Sequence, residues 1–221
     1  SGGIGLASAR ALAAAGANLV LIARGEERLR AAAESVGARA VTADVTTEEG
    51  VERVAAAVRE AGAAAPDLLV NAAGSFALAP LAETDIAVFD AQLRANLRGP
   101  FLLMRRFLAG MLARGSGHII SIGSVAGRRA FPANGAYAAS KFGLRGLHAV
   151  LAEELRGTGV RATLVEPAAT DTPLWEPIDT TAPGLPSRAE MLAATAVADA
   201  VLYVATRPAG VAIPNLLVER G

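Results

Sequence analysis

The chain is 221 residues long, carries 21 basic and 21 acidic side chains for a formal charge of zero, and has no cysteine, which excludes disulfides, thiolate nucleophiles and cysteine-held metals. Two scattered histidines, His118 and His148, are too few for a histidine zinc site, and balanced charge offers no general nucleic-acid surface. No uncharged apolar run reaches the ~18 residues of a membrane span and no basic-then-apolar leader opens the chain, so the expectation is a cytoplasmic protein that binds neither membrane nor nucleic acid.

Hydrophobic residues make up 52% of the chain but aromatic ones only 4%, so the core is built from Ala, Val, Leu and Ile. That bias suits a sheet covered by closely packed helices. Ser1 to Gly5 (S-G-G-I-G) reads as the second half of a glycine-rich turn running into a helix that ends near Ala15. Glycines there let the backbone approach a diphosphate, and the helix N-terminus offers unpaired N–H groups at the positive end of its dipole. Asn18 to Ala23 is a fully apolar strand, as expected in a parallel sheet buried on both faces. Ala23 and Arg24 stand at its end. In dinucleotide-binding folds a carboxylate there holds a ribose 2′-hydroxyl, whereas arginine accommodates a 2′-phosphate, so Arg24 favours NADP over NAD. Glu26 to Val36 is expected as a helix and Ala38 to Ala43 as a strand ending at Asp44-Val45. Thr46 then opens a helix, with acids in its first turn, that runs to about Ala63.

Asp67 to Asn71 is the next strand, followed by Ala72-Ala73-Gly74. Thr84-Asp85 begins a long helical stretch to about Arg114, broken near Asn96-Leu97-Arg98-Gly99-Pro100. That interruption is odd inside an apolar helix, because proline removes an intrahelical hydrogen bond. His118-Ile119-Ile120 signals another strand, and an amphipathic helix starts near Asn134 or Gly135. Ser124 lies at the end of that strand, and helical spacing puts Tyr137 and Lys141 on one face of the helix. A hydroxyl, a phenol and an ammonium so placed are parts for moving a proton onto a carbonyl oxygen. A phenol alone, with a pKa of about 10, is a poor acid–base group. An ammonium within ~4 Å favours phenolate by up to ~4 kcal/mol at an effective dielectric of about 20, which predicts an apparent pKa drawn toward neutrality. Downstream, Arg161 to Val165 is a strand, Ser187 to Thr206 a helix and Asn215 to Val218 a final strand. Between them, the Pro-, Thr- and Gly-rich stretch from Trp175 to Ser187 reads as a mobile lid over about 174–188.

Ser124 thirteen positions before Tyr137, the Y-x-x-x-K helix, the G-G-I-G turn and N-A-A-G at Asn71 to Gly74 occur in one order along the chain. Together they resemble the short-chain dehydrogenase/reductase family, over essentially the whole sequence. The resemblance implies a catalytic set of Ser124, Tyr137, Lys141 and Asn96. Asn96 would kink its helix, hold a water and complete a proton relay from Lys141. It also implies cofactor contacts at Ser1, Gly3, Ile4, Gly5, Asp44, Val45, Asn71, Ala72 and Gly74, with Asn71 stitching neighbouring strands together. Tyr137 and Lys141 would touch the cofactor as well as the substrate. Pro167 and Thr172 match a further motif at the nicotinamide, although Ala168 replaces its glycine and Glu166 stands where asparagine is usual.

The fold expected is α/β: a Rossmann-like, doubly wound parallel sheet between two helical layers, in one domain over residues 1–221, with its first strand missing from the sequence. The family turn begins earlier than Ser1, so roughly 8–15 further N-terminal residues are expected to supply that strand and the first glycine. The function expected is NADP-dependent exchange of hydride between nicotinamide and a carbonyl or secondary alcohol of an apolar small molecule. Phe76, Val125, Phe131, Leu174 and Trp175 would line the pocket, with Arg128 and Arg129 at its mouth. Homodimer or homotetramer formation is implied by the resemblance. The alternative from another class is a catalytically idle, cofactor-binding regulatory protein, which would need none of Ser124, Tyr137, Lys141 and Asn96 together.

Overall fold

The computed structural model describes residues 1–182 and 184–221; Pro183, inside the expected lid, lies outside the described residues. Strands and helices alternate: α1 (Gly3–Ala14), β1 (Val20–Ala23), α2 (Glu26–Glu34), β2 (Arg39–Thr42), α3 (Glu48–Glu60) and β3 (Leu68–Asn71). α4 (Ile86–Leu93), α5 (Gly99–Arg114), β4 (Gly117–Ile122), α6 (Gly135–Glu154) and β5 (Val160–Pro167) follow. The chain closes through the short strands β6 (Thr170–Asp171) and β7 (Leu192–Ala193), then α7 (Ala194–Ala205) and β8 (Asn215–Val218).

All strand pairs are parallel. The side chains of β4 alternate between two cores, as a strand period of two requires. Ile119 joins Phe107, Met111, Leu144 and Leu164 beneath α3, α5 and α6. Ile120 and Ile122 join Val165, Val197 and Val201 beneath α7, which packs on α1. Strands this apolar on both faces form only where helices cover both.

The sheet is not one continuous ladder. β2 pairs with β1, and β3, β4, β5 and β8 pair in that order, but β1 and β3 do not bond to each other. Leu21 and Ile22 on one side and Leu69 and Val70 on the other line a cavity of about 2050 Å³.

The break inside the long helix is a π-helical turn over Arg94–Arg98, with Asn96 at its centre and buried. This wider turn separates α4 from α5 and places Pro100 at the start of α5, where its absent N–H costs least. Side chains fix the flanking starts: Asp85 Oδ1 accepts from Ala87 N at 2.7 Å, and Thr47 Oγ1 from Gly50 N at 3.0 Å. The helix expected over Ser187 to Thr206 is shorter, because a 3-10 turn at Arg188–Glu190 and β7 occupy its first part. Among the described residues no helix is long and apolar enough to cross a membrane.

Candidate active site

The cavity opens at the carboxyl ends of the parallel strands, where successive connections leave the sheet on either side. Ser124, Tyr137, Lys141 and Asn96 all line it. Gly123 N–H donates to Val165 O at 2.7 Å, so Ser124 leaves the sheet on a strapped backbone. Its Oγ accepts from Ala126 N at 3.1 Å and starts a 3-10 turn over Val125–Gly127. That turn lies close against α6: a Cβ at Gly127 would come within 2.9 Å of Lys141 O.

Lys141 is 6% exposed and donates from Nζ to Ile122 O at 2.8 Å. Its ammonium sits 5.5 Å from the centre of the Tyr137 ring. Burial lowers the lysine to about 8. Burial also pushes the Tyr137 phenol up to about 12, and a hydrogen bond with the Ser124 side chain opposes that rise only in part. The pKa near neutrality expected for Tyr137 is therefore not found. The ammonium is bonded to a main-chain carbonyl, and desolvation outweighs its attraction for a phenolate. At neutral pH the phenol carries its proton and faces the Ser124 hydroxyl.

The Asn96 side chain bonds to neither Lys141 nor Tyr137 among the described residues. Oδ1 accepts from Ser75 N at 2.9 Å, while Nδ2 donates to Ser75 O at 2.9 Å and to Ser140 Oγ at 3.0 Å. Ser140 Oγ in turn donates to Tyr137 O at 2.7 Å. Asn96 thus clamps the loop after β3 to the turn of α6 that carries the phenol. The clamp needs Gly74, since a Cβ there would lie 2.8 Å from Asn96 Oδ1. Gln92 adds a second pair of bonds to the same loop, to Ala77 N and Ala77 O at 3.3 Å each.

Arg128 is not at the mouth of the cavity as expected. Its Nε donates to Glu166 Oε2 at 2.7 Å, and Arg145 Nε approaches Glu166 Oε1 at 3.5 Å. Glu166 is completely buried at the end of β5. A carboxylate that deep needs charged partners. They come from the loop after Ser124 and from α6 one turn beyond Lys141, so the glutamate found where asparagine is usual joins three elements of the site. Arg129 does line the cavity, with a loose ion pair to Glu219 at 3.7 Å and its guanidinium 5.2 Å from the Phe131 ring centre.

At the other end of the cavity lie Ser1 and the residues Gly3, Ile4 and Gly5, the last three opening α1 with no side chain capping its free N–H groups. A Cβ on Gly3, whose φ is 51°, would stand 3.1 Å from Thr172, and one on Gly5 would stand 3.3 Å from Ala72. The first turn of α1 is therefore pressed against the ends of β3 and of the loop after Pro167. Pro167 and Thr172 line the cavity, as do Asp44, Val45, Asn71, Ala72 and Gly74. Asn71 joins β3 to β4 through Nδ2 and Ser121 Oγ at 3.1 Å, and its buried Oδ1 has no hydrogen-bond partner among the described residues. Asp44 accepts from Thr46 N at 2.9 Å, and that bond, aided by the charge of Arg24, holds its carboxyl below the usual range. Arg24 and Arg28 both line this end and make no ion pair among the described residues. An uncapped helix start beside two arginines fits a phosphorylated dinucleotide in donor chemistry and in charge.

Phe76 packs edge-on to Tyr137 with ring centres 4.8 Å apart, and Trp175 packs on Phe76 at 4.9 Å. Val125, Phe131 and Leu174 complete the apolar wall. The two ends of the expected lid are joined by Arg188, which pairs with Asp171 and donates to Thr172 O at 3.2 Å.

Sequence reasoning missed Arg28, Ser75, Ser140, Gln92 and the partners of Glu166. Only Glu166 carried a signal, being a charge at the end of an apolar strand. The others become site residues through contacts between segments distant in sequence.

The family model described as short chain dehydrogenase matches residues 1–183. An uncharacterized oxidoreductase of Staphylococcus epidermidis is 31% identical over 99% of this chain and 93% of its own. A galactitol 2-dehydrogenase (L-tagatose-forming) of Cereibacter sphaeroides is 39% identical over 75% of this chain and 66% of its own. Among solved structures, a metagenomic short-chain oxidoreductase in complex with NADP superposes with a TM-score of 0.82 at 35% identity, covering 99% of this chain and 92% of that one. The chain belongs to the short chain dehydrogenase family of oxidoreductases.

Proposed function

We propose that the protein is an NADP-dependent oxidoreductase that interconverts a carbonyl and a secondary alcohol on an apolar small molecule, with Tyr137 as the general acid and base. The observation that carries this reading is the Tyr137 phenol and the Ser124 hydroxyl in the same cavity as an arginine-flanked, uncapped helix start. When bound, NADP supplies the hydride chemistry at its nicotinamide. The first turn of α1 would hold the diphosphate, Arg24 and Arg28 the 2′-phosphate, Asp44 and Val45 the adenine, and Lys141 the nicotinamide ribose. Pro167, Thr172 and the segment Asn71 to Gly74 would line its path. Tyr137 gives its proton to the carbonyl oxygen in reduction and takes it back in oxidation. Ser124 donates a hydrogen bond where negative charge grows on that oxygen. Asn96 acts at one remove, holding Ser75 and Ser140 and through them the phenol.

The solved relative that holds NADP supports the choice of cofactor, and the aromatic wall of Phe76 and Trp175 supports an apolar substrate. Exposed Phe101, Phe142 and Val150 on α5 and α6 support self-association as a homodimer or homotetramer. The test is to incubate the protein with NADPH or NADH and a panel of cyclic and aromatic ketones, following cofactor absorbance. Turnover with NADPH well above that with NADH is the expected result. No turnover with any ketone or alcohol in either direction would overturn the reading.

A further inference from the structure

The turn that carries Ser124 is held at both ends by neighbouring residues of β5. Before the turn, Gly123 N–H donates to Val165 O at 2.7 Å. After it, Arg128 Nε donates to Glu166 Oε2 at 2.7 Å, and Nη2 of the same guanidinium donates to the same oxygen. Between these anchors Gly127 N–H donates to Ser124 O and Arg128 N–H to Val125 O, each at 2.9 Å. Glu166 is also packed against the start of the turn, since a Cβ on Gly123 would stand 3.0 Å from its Cγ. Arg145, on α6 one turn beyond Lys141, approaches the other carboxylate oxygen at 3.5 Å. A carboxylate with no exposed surface is costly unless cations are held against it. Folding Glu166 into β5 therefore draws Arg128 to one place, and with it the end of the Ser124 turn.

The position of that turn governs the direction of the Ser124 hydroxyl. Its Oγ accepts from Ala126 N at 3.1 Å, inside the same turn. A hydroxyl has one proton and two acceptor sites, so an N–H fixed on one of them narrows the directions left to the proton. Moving the turn moves Ala126 N–H and redirects the hydroxyl. Ser124, Val125 and Ala126 line the cavity, whereas Glu166 and Arg128 do not. The ion pair thus stands behind the turn and acts on the cavity only through it.

We propose that Glu166 is a positioning residue for the reaction: through Arg128 it fixes the Ser124 turn and so aims the Ser124 hydroxyl at the carbonyl oxygen that Tyr137 serves. This inference rests on the oxidoreductase reading above. A hydrogen-bond donor aimed where charge develops keeps its value only while it is held in place, and a misplacement of about 1 Å costs up to about 100-fold in rate. Glu166 and Arg128 supply that hold without touching cofactor or substrate. The contact of Arg145 with the same carboxylate ties α6, which carries Tyr137 and Lys141, to the same point.

The test uses the double variant Arg128→Ala with Glu166→Gln, which leaves no buried carboxylate unpaired, and the single variant Arg128→Lys, which keeps the charge but loses the guanidinium fork. Each is made with Ser124 intact and together with Ser124→Ala, and kcat and KM are measured with NADPH and the ketone of the panel above that the wild type reduces fastest. With Ser124 intact, the double variant should lower kcat by roughly 10- to 100-fold and leave KM for NADPH within about threefold of wild type. Arg128→Lys should lower kcat by at least about threefold, and it decides the matter if the double variant fails to fold. Together with Ser124→Ala, the same substitutions should change kcat by less than about twofold, because the group they misplace is gone. A second readout needs no turnover: the amides of Ala126, Gly127 and Arg128 should exchange hydrogen at least about tenfold faster in the double variant, while those of Ile119 and Ile120 in β4 keep their wild-type rates. An unchanged kcat, an equal loss with and without Ser124, or exchange that quickens throughout the fold overturns the role of Glu166, while wild-type turnover leaves the oxidoreductase reading standing. If the wild type turns over no ketone or alcohol, that reading fails, and hydrogen exchange alone upholds or overturns the hold of Glu166 on the turn.

Discussion

Lys141 Nζ donates to Ile122 O at 2.8 Å, so the helix that carries the phenol is bonded to the strand end that carries the Ser124 hydroxyl. This bond fixes the relative position of the two groups, and it also decides how the site responds to pH. Burial sets Lys141 at about 8 and Tyr137 at about 12. The phenol therefore keeps its proton throughout the neutral range, and the first group to titrate is the ammonium. Reductive kcat/KM should be flat from about pH 6 to 7.5 and fall above an apparent pKa of about 8. Lys141→Arg should move that fall upward, because guanidinium does not titrate there. A falling limb near the ordinary phenol value of about 10 would contradict the assignment.

Stability should follow the same two groups with opposite signs. Lys141 titrates lower folded than unfolded, about 8 against 10.5, so between those values the unfolded chain binds more protons and stability rises with pH. Tyr137 titrates higher folded than unfolded, about 12 against 10.0, so stability falls across that interval. Urea unfolding from pH 7 to 11.5 should show a maximum near pH 10, and Tyr137→Phe should remove the decline above it.

Acid should unfold the protein through its two histidines. His118, bonded to Thr163 Oγ1 at 2.8 Å and repelled by the charge of Arg161, and His148, with neither ring nitrogen paired among the described residues, are both pushed down to about 4 by burial. Their folded pKa lies below the unfolded 6.5, so stability is lost as pH falls from about 6.5 to 4, on the order of 2–3 kcal/mol for each. His148→Leu should roughly halve that loss in chemical denaturation at pH 4.5 relative to pH 7.

The buried carboxylate of Glu166 should make Arg128 costly to remove. Arg128→Ala leaves only the more distant Arg145 to balance it and should cost ~2–4 kcal/mol, toward the lower part of the range for breaking a buried pair because Arg128 is partly exposed. Glu166→Gln in the same background should recover a large part of that loss. Additive effects in the double variant would show that the two side chains do not interact.

Arg24 and Arg28 should together set cofactor choice. Replacing Ala23 by Asp and Arg24 by Leu trades a phosphate partner for a ribose partner, so the Kd for NADPH should rise at least tenfold while that for NADH falls. Arg28→Ala alone should weaken NADPH and leave NADH nearly unchanged. Equal effects on both cofactors would place the arginines elsewhere.

Much of this was legible in the sequence because it is local. The strand at Asn215–Val218 and the start of α6 were read where they lie, since periodicity and end signals act within a few residues. The interruption at Asn96 to Pro100 was readable as an anomaly, but not as a π turn, whose form depends on what Asn96 bonds across the fold. The protonated state of Tyr137 was misread because spacing gives the distance to a lysine, whereas the pKa depends on burial and on what else holds that lysine. Arg128 was misplaced for a related reason: its partner, Glu166, lies thirty-eight residues away in sequence.

The central claim, that Tyr137 transfers the proton, is tested most directly by measuring NADPH-dependent ketone reduction and NADPH affinity in Tyr137→Phe. The phenylalanine keeps the ring that packs on Phe76 and removes only the hydroxyl. The account predicts turnover reduced at least a hundredfold, within the 10²–10⁴ range of acid–base catalysis, with the Kd for NADPH within threefold of wild type. Turnover above a tenth of wild type, with folding and cofactor affinity intact, would contradict it.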